Sequence, residues 1–194
     1  MIDDARLIEK SLHGDSAAFG QLVQRYQDRL FNTVLHVAGS REEAEDVVQE
    51  ALVQAFLKLA SFHGNSAFYT WLYRITFNVA ISRRRRKKHE QSLDAKREDA
   101  GHDPPSNLPQ PAEHLLQQER AQLVHAALAA LSEEHRAILV LREMEGFEYE
   151  QISEILDLPT GTVRSRLHRA RLQLREQLKS ALDDSPAQQR RSVH

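Results

Sequence analysis

The sequence contains no cysteine, and it uses glycine and proline sparingly, with seven and six among 194 residues. Without thiols, disulfide bonds and thiolate metal sites are excluded. Ten histidines are present, but they do not cluster with acidic residues at the spacing of a metal site, so neither a metal nor another cofactor is expected. Scarce glycine and proline favour a soluble, helix-rich protein.

Long apolar runs are also missing. No stretch of about eighteen apolar residues occurs, so insertion into a membrane is not expected. No signal peptide precedes the first predicted helix, and we expect the chain to act in the cytoplasm. Phosphate-binding glycine loops, nucleophile elbows and paired metal ligands are not found, so no catalytic residues are assigned and an enzyme is not predicted.

The formal net charge is only −2, whereas a simple nucleic-acid-binding protein is usually basic overall. The charges are nevertheless segregated along the chain. Residues 83–88 are all positive, residues 160–179 contain six basic side chains and one acid, and acids concentrate in residues 42–50. Such a chain can contact DNA at two places while an acidic face meets a protein partner.

Residues 44–88 contain four different kinds of segment in direct succession. Apolar residues recur every three or four positions in residues 44–59, which predicts an amphipathic helix. Its opposite face carries a cluster of acids and amides that we expect to be unpaired: Glu45, Asp46, Gln49, Glu50 and Gln54. The polar segment 63–66 then breaks the pattern, and Ser66 is the expected cap of an aromatic helix that runs into the basic residues.

The aromatic helix has two apolar stripes instead of one. They are Phe68, Leu72, Ile75 and Val79 on one side and Tyr69, Tyr73, Phe77 and Ala80 on the other. One interpretation is a central helix buried on both sides in a bundle. The other is that some rings stack on unpaired bases beside the basic run, and periodicity alone leaves both open.

The hydrophobic pattern predicts an all-α fold of two small helical domains joined by a flexible linker. A four-helix bundle is expected over residues 1–90, with Ser40 and Glu43 forming a capping box before the acidic helix. Residues 91–112 are polar and rich in proline, which is typical of a linker. A second helical domain is expected over residues 113–182, followed by a disordered tail over 183–194.

The second domain ends in a predicted helix-turn-helix. A short helix, a turn at residues 157–159 and a long basic helix from about Thr160 form this pattern. The apolar stripe of the long helix is Val163, Leu167, Ala170, Leu174 and Leu178. The side chains left on its outer face, which would enter a major groove, are Ser165, His168, Arg169 and Leu172, flanked by Arg164 and Arg166.

Three segments resemble conserved regions of the extracytoplasmic-function (ECF, group IV) sigma factors of bacterial RNA polymerase, members of the sigma-70 family. Residues 45–50, EDVVQE, resemble the polymerase-docking motif, and residues 62–75, FHGNSAFYTWLYRI, the promoter-melting segment. Residues 159–171, PTGTVRSRLHRAR, resemble the region-four helix-turn-helix. One departure is Asp157, where glycine is common; aspartate tolerates a left-handed conformation, so we expect the turn to form.

The resemblance implies a promoter-specificity subunit that binds the clamp and flap regions of core RNA polymerase and initiates transcription, responding to stress under control of an anti-sigma factor. Region two would occupy residues 1–90 and region four residues 113–182. The linker would be either a tether or an acidic thread in the nucleic-acid channels of the polymerase. Polymerase binding is assigned to Asp46, Gln49 and Glu50.

Two sets of DNA-contacting residues follow. The minus-thirty-five set is Thr162, Arg164, Ser165, Arg166, His168, Arg169 and Arg171. The minus-ten set is His63, Gly64, Asn65, Ser66, Trp71, Arg74, Asn78, Arg83 and Arg84.

Two other classes of function remain open at this point. The first is a free-standing helix-turn-helix regulator whose N-terminal bundle senses a signal or mediates dimerisation. A sensing bundle would have no reason to place aromatic rings beside a basic run. The second is a nuclease, which needs paired carboxylates in a cleft. Asp46 and Glu50 lie four residues apart, but a docking or solvated face explains them more simply.

Overall fold

A computed structural model describes residues 3–93 and 112–183, and the secondary structure of these two ranges is helical, as predicted. The tail beyond residue 183 and most of the predicted linker lie outside the described residues. The helices are α1 (Asp4–Leu12), α2 (Ser16–Val37), α3 (Arg41–Lys58), α4 (Phe68–Leu93), α5 (Ala112–Ala129), α6 (Glu133–Leu139), α7 (Tyr149–Leu156) and α8 (Thr160–Asp183), with a short 3₁₀ turn at Leu59–Ser61.

The first helix boundaries follow from local chemistry. Gly14, with φ of +96°, ends α1, and the Asp15 carboxylate accepts hydrogen bonds from the first amides of α2. At α3, the Ser40 hydroxyl accepts from the Glu43 amide at 3.1 Å. The Glu43 carboxylate reaches back to the Gly39 amide at 3.1 Å instead of the Ser40 amide, so the predicted capping box closes one residue early.

The predicted cap of α4 is wrong. The helix begins at Phe68, and the Ala67 carbonyl accepts the hydrogen bond from the Trp71 amide. The Ser66 hydroxyl instead donates to the Glu154 carboxylate at 2.7 Å. A hydrogen bond to a charged acceptor is stronger than one between neutral groups, so this contact holds the Ser66 hydroxyl against α7.

Helices α1 to α4 form the N-terminal domain, with α4 at its centre. Both predicted stripes of α4 are covered: Phe68, Leu72, Ile75, Val79, Tyr73 and Phe77 are buried, and Tyr69 and Ala80 are half-buried. Tyr73 and Phe77 expose at most 1% of their surface. Most of the aromatic rings therefore belong to the core, and the interpretation as a base-stacking surface is not supported for them.

The C-terminal domain consists of α5 to α8. Residues from all four helices fill its core, among them Leu128, Ile138, Ile152, Ile155, Val163 and Leu167. The turn between α7 and α8 forms as predicted, because Asp157 adopts the left-handed conformation with φ of 53°. Neither described range contains a helix with both the length and the apolarity needed to cross a bilayer.

Arg136 of α6 is an arginine that is almost completely buried, with 4% of its surface exposed. Its guanidinium donates to the carbonyls of Leu128, Ala129, Leu131 and Val37 at 2.6–3.2 Å. The last carbonyls of a helix have no partner within that helix, and the five donors of arginine satisfy several of them at once. Arg136 thus closes the end of α5 and ties it to the end of α2.

We expect Arg136→Met to lower the free energy of unfolding by about 2–4 kcal/mol, because it leaves several buried carbonyls without a donor. Urea denaturation followed by circular dichroism measures this loss. Arg175→Met, at an exposed position of α8, is the matched control and should change stability by about 0.5 kcal/mol or less. Equal effects of the two substitutions would contradict the assigned role of Arg136.

Candidate nucleic-acid and polymerase interface

The outer face of α8 is oriented by the buried face opposite to it. Val163, Leu167 and Ala170 expose at most 1% of their surface, which fixes the rotation of the helix against α6 and α7. Ser165, His168 and Arg169 are accordingly exposed on the other side. The predicted groove-facing residues therefore share one accessible face.

Several residues of the minus-thirty-five set on α8 already have partners within their own domain. Arg166 pairs with Glu134 at 2.8 Å, and Arg171 pairs with Glu143 at 2.6 Å, which raises the pKa of Arg171. The Arg164 guanidinium lies 6.0 Å from the centre of the Tyr149 ring. Thr162 is half-buried, and its carbonyl accepts from the Ser165 hydroxyl at 3.1 Å.

The loop formed by residues 63–67 connects the 3₁₀ turn to α4. We call it the melting loop after the promoter-melting segment that it resembles. His63, Gly64 and Asn65 are exposed, and Gly64 has φ of +73°, a conformation that other residues rarely adopt. Ser66 is half-buried because its hydroxyl binds Glu154. Of the predicted minus-ten residues in this loop, the amide of Asn65 is thus presented to solvent, whereas the Ser66 hydroxyl is occupied.

Further along α4, the predicted minus-ten residues differ in accessibility. Arg74 and Asn78 are exposed. Trp71 is half-buried and packs with the rings of Phe62 and Phe68, at centroid distances of 5.3 and 5.6 Å. Part of the indole therefore stabilises the base of the melting loop.

The sequence suggested that the basic run and the acidic face of α3 are separate, but in the structure they are paired. Arg83 donates to Glu50 at 2.6 Å and to Asp46 at 2.7 Å, and these carboxylates raise its pKa. Arg84 donates to Glu133 of α6 and to the Val37 carbonyl. The expectation of unpaired acids is wrong for Asp46 and Glu50, because α4 packs along α3 and brings Arg83 beside them. It is also wrong for Glu45, which pairs with Arg41 at 2.9 Å.

The remaining parts of these two surfaces stay accessible. Gln49 lies exposed on α3 between the two paired acids, and Asp46 keeps 54% of its side chain exposed. In the basic run, Arg85 and Arg86 are exposed. Docking and phosphate contacts can thus still form beside the Arg83 pairs.

Glu145 is a residue that sequence reasoning missed, and it connects the two domains. It follows a π-helical turn, Val140–Met144, and its side chain exposes only 9% of its surface. The carboxylate accepts from Arg29 at 2.7 Å and from the Tyr73 hydroxyl at 2.9 Å, and the Thr33 hydroxyl lies 2.5 Å away. Glu145 raises the pKa of Arg29, and burial raises that of Tyr73.

Aromatic packing surrounds this carboxylate. Phe147 is fully buried, stacks on Tyr69 and meets Tyr73 edge-on, with both ring centroids 4.9 Å away. About one turn beyond Thr33 on α2, the His36 ring lies 5.7 Å from the His125 ring of α5, and burial with this neighbour lowers the pKa of His36. Within the described ranges, no group of three potential ligands could hold a metal ion.

Two family models match the chain, each on one domain. Sigma-70 region 2 matches residues 22–90, and Sigma-70, region 4 matches residues 121–174. Among the similar proteins, RNA polymerase sigma-H factor of Pseudomonas aeruginosa is 39% identical over 176 residues, covering 87% of this chain and 90% of that protein. ECF RNA polymerase sigma-E factor of Haemophilus influenzae is 40% identical over 176 residues, covering 88% and 92%.

Solved structures give the same result. The sigma factor RpoE in complex with the anti-sigma factor NepR from Bartonella quintana superimposes with a TM-score of 0.68 at 29% identity, covering 83% of this chain and 96% of that one. CnrH in complex with the cytosolic domain of CnrY gives a TM-score of 0.65 at 25% identity, covering 94% and 99%.

Two helical domains, one with an accessible recognition helix and the other with an exposed polar loop at the start of an aromatic helix, define a two-domain DNA-binding protein. The relatives cover both domains and most of the chain. The chain belongs to the ECF family of RNA polymerase sigma factors. It is therefore a promoter-recognition factor of transcription initiation.

Proposed function

We propose that this sigma factor acts as a specificity subunit without enzymatic activity, opening promoters with the melting loop and reading the minus-thirty-five element with α8. The accessible Asn65 amide at the start of the aromatic helix carries this proposal. We assign region two to residues 1–90, the linker to 91–112 and region four to 113–182. Its place of action is the cytoplasm, where core polymerase meets the promoter.

The melting loop has the chemistry needed to hold a base that leaves the duplex. A base is read on its Watson–Crick edge only after it is unstacked, which costs a few kcal/mol. Asn65 can donate and accept hydrogen bonds on that edge, and Gly64 permits close approach of the backbone. Arg74 and Asn78, exposed farther along α4, can then support the neighbouring strand together with Trp71.

On α8, we assign base contacts to Ser165, His168 and Arg169 and phosphate contacts to the residues around them. Thr162, Arg164, Arg166 and Arg171 form that second group. In the free protein Arg166 and Arg171 pair with partly exposed acids. Such surface pairs contribute only about 0–1 kcal/mol, so phosphates can replace the acids at little cost.

Binding to core polymerase is assigned to Asp46, Gln49 and Glu50 on α3, with a basic surface of the clamp as the partner. The matched CnrH structure is a complex with the cytosolic domain of CnrY. The matched RpoE structure is a complex with the anti-sigma factor NepR. We extend this mode of control, and a response to stress, to the present chain. The flap region of the polymerase is the proposed partner of the C-terminal domain.

We expect Gln49→Lys to weaken binding to core polymerase by about tenfold, because it adds a positive charge to the docking face without breaking the Arg83 pairs. Competition with a labelled sigma factor for core enzyme measures the change. Gln24→Lys, at an exposed position of α2, is the matched control. If Gln49→Lys competes for core enzyme as well as the parent chain does, the docking assignment is wrong.

We expect Arg169→Ala to cost about 1–3 kcal/mol on the preferred minus-thirty-five sequence and to relax the sequence preference. Arg164→Ala should weaken all sequences about equally and flatten the dependence on salt, because it removes a phosphate contact. Binding to a promoter library at two salt concentrations compares the two variants. Uniform loss with Arg169→Ala would move this residue to the phosphate group.

We expect Asn65→Ala to impair transcription on a duplex promoter and also on a template whose minus-ten region is already unpaired. The reason is that a pocket residue still has to bind its base after melting, so the base preference should change on both templates. Run-off transcription with core polymerase is the measurement. Full activity on both templates would show that the loop leads into α4 but does not bind a base.

A further inference from the structure

The C-terminal domain occupies part of the minus-ten surface of the same chain. Glu154 of α7 accepts the hydrogen bond from Ser66 in the melting loop, at 2.7 Å. Glu133 of α6 pairs with Arg84 of the basic run, at 2.8 Å. Phe147 covers one face of Tyr69 on α4. Carboxylates of one domain thus hold polar groups that the other domain would offer to DNA.

Glu145 makes a further contact between the domains, through a side chain that exposes only 9% of its surface. A nearly buried carboxylate is costly unless it is paired and hydrogen-bonded, and every identified hydrogen-bond partner of the Glu145 carboxylate lies on α2 or α4 of the other domain. Separating the domains exposes this carboxylate to water and leaves the Tyr73 and Thr33 hydroxyls without it. The hydrogen bonds of the Glu145 carboxylate therefore form together when the domains close and are lost together when they separate.

The minus-thirty-five surface on α8, in contrast, stays accessible in the same conformation. Ser165, His168 and Arg169 on the outer face of α8 are exposed with both domains in place. Among the described residues, Arg166 pairs with Glu134 and Arg171 with Glu143, both acids of their own domain. Closure of the two domains therefore leaves the recognition helix accessible.

We propose that the free chain closes on itself through a latch centred on Glu145, which withholds the minus-ten surface while leaving the recognition helix available. This inference rests on the proposed role of the melting loop. Binding of unpaired DNA then requires the open form, and its apparent affinity falls in proportion to the open fraction. Opening of the latch is a second condition for promoter melting, besides release from any inhibitor.

The first experiment measures closure without DNA. The chain has no cysteine, so cysteines at the exposed positions Gln24 and Gln177 accept a pair of dyes for energy transfer between the domains. Glu145→Gln keeps the side-chain volume but removes the charge, and Glu145→Ala removes the contact entirely. Both should lower energy transfer, whereas the control Glu150→Ala, an exposed carboxylate of α7, should not.

The second experiment measures the consequence for DNA binding in the same full-length variants. A fluorescent, mixed-sequence single strand of about 20 nucleotides is compared with a duplex of the same sequence. Glu145→Ala should bind the single strand about three- to tenfold more tightly and the duplex unchanged, if the closed form dominates in the parent chain. Circular dichroism verifies that helix content is retained.

Two results would overturn the latch. Unchanged energy transfer in both Glu145 variants shows that the carboxylate does not hold the domains together. Lower energy transfer without tighter single-strand binding shows that closure does not cover the DNA surface. The role of the melting loop is judged separately: if Asn65→Ala binds the single strand as well as the parent chain, that assignment fails, while energy transfer still decides whether the latch exists.

Discussion

A carboxylate that loses most of its water must recover the lost hydration from hydrogen-bond donors, and this requirement shapes the contact between the two domains. Glu145 meets it with a guanidinium and two hydroxyls from α2 and α4. Tyr73 supplies one of these donors with its hydroxyl, while its ring is buried in the domain core. The packing of the N-terminal domain and its contact with the C-terminal domain therefore depend on the same side chain.

Helix α4 has two tasks that compete for its surface. Its rings fill the core of the first domain, while its first turn and basic end are assigned to DNA. The division follows the order of residues: Phe68, Leu72 and Phe77 point inward, and Arg74 and Asn78 point outward. A helix with so wide an apolar surface leaves only a narrow polar strip, which explains why the loop before α4, and not the helix itself, is the more accessible candidate for base capture.

The sequence predicts the local features of this molecule well and the long-range ones poorly. Apolar periodicity and turn chemistry depend on neighbours in the chain, so the helices and the turn at the left-handed Asp157 are confirmed. Arg136 and Glu145 were missed because their roles depend on partners that are distant in sequence, such as Val37 and Arg29. Ser66 was misassigned for the same reason, since its partner is Glu154.

Several of the predicted DNA-binding arginines pair with acids of the protein itself, and this has a consequence for specificity. Arg83, Arg166 and Arg171 each have a carboxylate partner at 2.6–2.8 Å. These exposed pairs contribute little free energy, but they place each guanidinium before DNA arrives. They also offset much of the positive charge that would otherwise attract any nucleic acid, so the net charge of −2 is consistent with a factor that reaches promoters on the polymerase and gains little from unspecific DNA.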